Sequence, residues 1–150
     1  MNSVPQPSAP DGRKQVLILT AEAGFGHRSA ALAIEAALQE RYGDRCITTV
    51  LNPLREEGVP GILQTLAEEG YERFVQSELG LYDLGFRISD GVATAVLLEQ
   101  VFSALMHDPF KELLGRSQPD VVVSTYPFYL EPLSFVVDRT GEAVPLVVPA

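Results

Sequence analysis

The stretch QVLILTAEAGFGHRSAALAIEAAL, Gln15 to Leu38, sets the strongest constraint on the fold. Val16 to Leu19 is a short, continuous apolar run that leads into a glycine loop, the pattern of a strand buried on both faces of a parallel sheet. From Arg28 to Tyr42 the period changes. Ala30, Ala31, Ile34, Ala37 and Leu38 recur on one side at helical spacing, Glu35, Gln39 and Glu40 lie toward the other, and Gly43 supplies a stop. Cys46 to Leu51 returns to β-forming residues and ends at Asn52-Pro53. Together these make a β-α-β unit, whose crossover is right-handed in nearly all parallel sheets.

Downstream, Val59 to Gly115 offers no strand, yet it is far longer than an ordinary connection between neighbouring strands, so it is expected to carry helices of its own. Leu63 to Val75 is one, anchored by Leu66, Tyr71, Phe74 and Val75; Val92 to Met106 is another, apolar almost all round. At ~1.5 Å per residue the latter is about 22 Å long, short of the ~30 Å of a bilayer core. Its Phe102, Leu105 and Met106 suit core packing or contact with acyl chains. His107, beside Asp108-Pro109, reads as the end of that helix. Asp120 to Thr125 then forms a strand, Leu130 to Arg139 a helix, and Val144 to Val148 a last strand.

Composition excludes several functions. Eleven basic against twenty acidic side chains give a formal charge of −9, and no basic cluster offsets it, so nucleic acid is not an expected partner. One cysteine, Cys46, and two histidines are too few for a structural zinc site, and no metal or organic cofactor is expected. Cys46 reads as a small core residue. Residues 1–14, MNSVPQPSAPDGRK, are polar and proline-rich and read as a disordered leader rather than a secretory signal, so the chain is expected in the cytoplasm. Residues 15–150 then make a single domain.

The loop between the first strand and the first helix resembles a dinucleotide site only superficially. Counting from Gly24 and Gly26, the third glycine position falls on Ser29, and the second strand ends without the acidic residue that would hold a ribose. A Walker lysine is absent as well. What remains is a glycine loop that ends in His27 at the carboxyl end of the first strand, where open α/β sheets bind ligands. A helix N-terminus favours an anion and disfavours an imidazolium, so a histidine there can stay neutral and accept a proton. Two roles are open to His27: a general base, or a residue that caps the helix or bonds a loop carbonyl.

The block VLILTAEAGFGHRSAALAIEAAL resembles the N-terminal signature of the monogalactosyldiacylglycerol synthases and the bacterial diacylglycerol glucosyltransferases, approximately V-L-I-L-x-S-D-T-G-G-G-H-R-x-S-A-x-A-I. More distantly it is similar to the transferase that adds N-acetylglucosamine to the lipid precursor of peptidoglycan. A second block, QPDVVVSTYPF from Gln118 to Phe128, resembles that family's P-D-V-I-I-S-T-x-P. Phe25 replaces the middle glycine of the family loop, and Asn52 stands where members often carry aspartate.

The resemblance implies an α/β fold, a Rossmann-like parallel sheet with helices on both faces, forming the N-terminal half of a GT-B glycosyltransferase. It implies an inverting transfer of a hexose from a nucleotide-sugar, a UDP-sugar, to a diacylglycerol-type lipid, with His27 as catalytic base and peripheral contact at the cytoplasmic membrane face. Glu22 matches the acidic position of the family loop, where it would orient His27. Gly24, Phe25 and Gly26 would offer main-chain amides to the sugar diphosphate, and Thr125, Tyr126 and Pro127 would shape the acceptor site. The donor domain is expected outside these 150 residues. The competing reading is a stand-alone Rossmann-like module that binds a phosphate or phospholipid head group without catalysis.

Overall fold

A computed structural model describes residues 12–22, 25–69, 91–140 and 144–149. Its centre is a four-stranded sheet in the order β2-β1-β3-β4, formed by β1 (Lys14–Leu19), β2 (Cys46–Leu51), β3 (Val121–Ser124) and β4 (Leu146–Val147). All three pairings are parallel, with Leu17 opposite both Thr49 and Val122. The sheet bears out the α/β, Rossmann-like expectation.

β1 shows why its apolar run is continuous. Leu17 and Leu19 enter one core cluster with Leu51 and Val122, while Val16 and Ile18 enter a second with Ala31 of α1 (Phe25–Tyr42), Cys46 and Val123. Alternation of side chains along a strand thus feeds two hydrophobic layers, and both must be filled from one sequence. α1 covers the second layer with Ala31, Ile34 and Leu38, three of the residues whose spacing marks its inner face. The opposite layer receives α3 (Gly91–Ser117) and α4 (Leu130–Thr140) through Met106, Phe110, Leu113, Leu133 and Val136. β1 to β2 and β3 to β4 run in opposite directions along the sheet, so crossovers of one hand place α1 and α4 on opposite faces.

Several elements differ from their sequence limits. β1 begins at Lys14 rather than Val16 because Asp120 anchors that end: its carboxylate lies 2.8 Å from Lys14 Nζ and accepts the Gln15 N–H at 2.8 Å. α2 (Gly61–Glu69) starts two residues before Leu63, and the expected anchors Tyr71, Phe74 and Val75 lie outside the described residues, as does most of the leader. β4 is confined to Leu146–Val147.

The expectation that a helix ends at His107 is wrong, because α3 runs through Pro109 to Ser117. An interior proline costs a helix about 3 kcal/mol. Beyond it, however, Phe110 and Leu113 are buried to within 2% exposure, and losing either from the core would cost more than the helix gains by stopping. The helix stops where Gln118 adopts a left-handed φ of 40° and donates its N–H to Leu114 O at 2.9 Å, followed by Pro119. Phe102 and Met106 are buried core residues, and Phe102 stacks on Tyr129, so they serve the core packing that was one of the two uses open to them. Among the described side chains of α3, the large apolar residues that are exposed are Val96, Leu97 and Val101. Among the described residues no helix is long and apolar enough to cross a membrane.

Candidate functional site

β1 and β3 are neighbours, yet the chain leaves β1 toward β2 and leaves β3 toward β4. The two departing segments therefore diverge and open a crevice at the carboxyl ends of the central strands, the usual ligand position in open α/β sheets. From β1 comes the first turn of α1, which carries Gly26, His27 and Arg28. From β3 come Thr125 and Tyr126, ahead of a 3-10 turn at Pro127–Tyr129 that leads into α4.

His27 is the third residue of α1 and reaches across the crevice. Its Nδ1 lies 2.6 Å from Thr125 O. A carbonyl oxygen can only accept, so Nδ1 carries the proton, and in the neutral ring the lone pair is on Nε2. The bond to a loop carbonyl, one of the two roles open from the sequence, therefore occupies one nitrogen and leaves the other competent to take a proton. Thr125 is itself held by its N–H, which donates to Leu19 O at 2.9 Å. Its hydroxyl faces two carbonyls, Leu19 O at 3.2 Å and His27 O at 3.0 Å.

Behind the imidazole stands Tyr126, edge-on, with ring centroids 5.1 Å apart and planes at 79°. Tyr126 is buried and continues into an aromatic cluster through Tyr129 at 4.9 Å and Phe128 at 5.3 Å. Tyr129 is fully buried, and its hydroxyl sits 3.3 Å from both Thr20 O and Asn52 Oδ1. Burial, with Tyr126 beside it, pushes the Tyr129 phenol well above its usual value, so it remains protonated and able to donate. The Tyr129 hydroxyl thus ties this aromatic cluster to the ends of β1 and β2.

On the other side of the β1–α1 connection lies a polar groove of about 560 Å³, lined among others by Thr20, Glu22, Arg28, Thr49, Asn52 and Arg55. Glu22 pairs there with Arg55 and approaches Arg28 Nη1 at 3.8 Å. Its side-chain contacts are with these two arginines, whereas His27 Nδ1 is bonded to the Thr125 carbonyl. Asn52 Oδ1 accepts the Leu54 N–H at 3.1 Å and caps the 3-10 turn Pro53–Arg55. An uncharged amide meets that need as an aspartate would.

The remaining expected site residues separate by position. Gly24 lies outside the described residues, and Phe25 opens α1 with its side chain outside them. Gly26 is exposed, and a Cβ built on it meets nothing within 4 Å. Pro127 is exposed on its turn, beside rather than inside the His27 contact. Sequence reasoning did not single out Arg28 and Arg55. Arg28 follows His27 directly in the loop motif, which is the one signal that could have flagged it, whereas Arg55 comes from a turn 33 residues beyond Glu22.

Comparisons with known proteins point to one family. The model of the monogalactosyldiacylglycerol (MGDG) synthase family matches residues 27–149, a span that begins at His27 and includes Thr125 and Tyr126. A chloroplastic monogalactosyldiacylglycerol synthase of Spinacia oleracea is 30% identical over 121 residues, covering 79% of this chain and 22% of the relative. The chain thus spans about a fifth of the length of the curated relative it matches.

Proposed function

Because the chain belongs to the monogalactosyldiacylglycerol synthase family, we propose that it is the lipid-acceptor-binding half of an inverting GT-B glycosyltransferase. In this reading a hexose passes from a nucleotide-sugar to diacylglycerol, and the nucleotide-sugar is held mainly by a second Rossmann-like domain. The observation that carries it is the hydrogen bond from His27 Nδ1 to Thr125 O, which leaves Nε2 of the neutral ring free of the proton.

The chemistry needs such a group. As the acceptor hydroxyl oxygen attacks the anomeric carbon, its proton passes to His27 Nε2, the bond from that carbon to the diphosphate oxygen breaks, and the nucleotide diphosphate leaves with the electron pair. Attack opposite the leaving group inverts the anomeric centre. A positioned base contributes ~10²–10⁴-fold to such a step. The first-turn amides of α1, at Gly26 and His27, present partial positive charge that suits the diphosphate. Exposed Val96, Leu97 and Val101 on α3 offer an apolar surface for peripheral contact with a bilayer, and the formal charge of −9 does not favour attraction to anionic lipid.

The test is transfer of labelled hexose from a UDP-sugar into diacylglycerol micelles by a family-length protein carrying this domain. Chloroform-soluble label that depends on added diacylglycerol supports the assignment. Release of free sugar at equal rate with and without diacylglycerol removes the lipid acceptor, and binding of phosphate head groups with no transfer favours a non-catalytic module.

A further inference from the structure

His27 and Thr125 are joined in both directions. The imidazole donates to the main chain of Thr125 at 2.6 Å, and the Thr125 hydroxyl lies 3.0 Å from the main-chain oxygen of His27. The first bond fixes which ring nitrogen holds the proton. The second ties the first turn of α1 to the end of β3, so it fixes the distance over which the first bond forms. A third contact, the Thr125 N–H to Leu19 O at 2.9 Å, seats the residue on the central strand. Tyr126, next in sequence, closes the ring's edge at 5.1 Å.

We propose that Thr125 is the positioning residue of His27: its carbonyl holds the imidazole in the Nδ1–H tautomer, and its hydroxyl locks α1 at the spacing that this bond requires. The proposal rests on the reading of His27 as the base, and it assigns to a main-chain oxygen the orienting role that a carboxylate plays in histidine dyads. A backbone carbonyl has one advantage in that role: it cannot take up the proton itself or compete for it as pH changes.

The tautomer can be read without any turnover. In the ¹⁵N-labelled chain at a pH where the ring is neutral, long-range ¹H–¹⁵N correlations of the imidazole distinguish protonated from bare nitrogens, and His27→Gln identifies which of the two histidine signals is which. Native protein is expected to show Nδ1 protonated and Nε2 bare. Predominance of the Nε2–H form overturns the proposal, and this measurement needs no Thr125 variant to fold. Thr125→Val keeps the shape and removes the hydroxyl; loss of one hydrogen bond should shift the tautomer ratio toward Nε2–H by about 3-fold or more, with Thr125→Ser restoring it. In a family-length protein the same valine variant should lower kcat about tenfold with KM for the nucleotide-sugar unchanged, again with rescue by serine. A valine variant with native tautomer ratio and native kcat overturns the locking role. Full activity of His27→Gln alongside the expected tautomer would refute the base, a failure distinct from that of the geometry.

Discussion

Asp120 and Gln15 hold the start of β3 to the start of β1 by two bonds: the Asp120 N–H donates to Gln15 O at 2.9 Å, and the Gln15 N–H donates to Asp120 Oδ2 at 2.8 Å. Lys14 Nζ adds a third contact at 2.8 Å to the other carboxylate oxygen. The Gln15 amide first, and Lys14 second, hold the Asp120 carboxyl below its usual value.

A depressed carboxylate stabilises the fold fully above its unfolded value of about 3.9, and the contribution is lost as pH falls through its lower folded value. Asp120→Asn keeps the shape and an acceptor oxygen but not the charge. Chemical denaturation of this variant from pH 7 to pH 2 should therefore show lower stability at neutral pH, by about 1 kcal/mol, and a flatter acid limb than native protein. An acid limb identical to native would mean that other carboxylates dominate acid unfolding.

Gly26 gives a way to separate ligand space from folding. It lies in the first turn of α1 with no atom within 4 Å of a built Cβ, so Gly26→Ala should not weaken the domain and can stabilise it by up to about 1 kcal/mol. If substrate approaches the main chain here, the same variant should raise KM or lower kcat in a family-length protein despite its higher Tm. Unchanged kinetics would mean that Gly26 serves no close approach.

Membrane contact should depend on the outer face of α3. In liposome flotation Leu97→Ser with Val101→Ser should lower association by about tenfold or more, since full burial of each apolar side chain contributes roughly 1.5–3 kcal/mol and contact with a bilayer buries only part of each. Raising the salt should change little, because the chain carries a formal charge of −9 and the contact is apolar. Strong salt-sensitive binding would contradict an apolar mode.

The fold was legible where local pattern and tertiary packing agree. β2 spans Cys46–Leu51 as its β-forming run implies, and Ala31, Ile34 and Leu38 of α1 face the core as their spacing implies. It was not legible where a distant residue decides. Lys14 joins β1 because Asp120 lies opposite, and α3 continues past Pro109 because Phe110 and Leu113 find a core that the local sequence does not reveal. The same division holds at the crevice. His27, Thr125 and Tyr126 stand in two recognisable blocks, but the bond between them spans 98 residues, and a carbonyl as the partner of Nδ1 leaves no trace in side-chain identity. Glu22 stands in the loop block, but its two arginine partners, one of them 33 residues away, are not marked by local pattern.

The central claim is that His27 Nε2 takes the acceptor proton, and one substitution tests it most directly. His27→Gln can keep a hydrogen bond from its amide to Thr125 O, yet it cannot accept a proton at working pH. In a family-length protein, kcat for hexose transfer to diacylglycerol should fall by about 10²-fold or more while the Kd for the nucleotide-sugar stays within a factor of about two. Native kcat in His27→Gln, with the domain folded, would contradict the account and leave His27 as a residue that only ties α1 to β3.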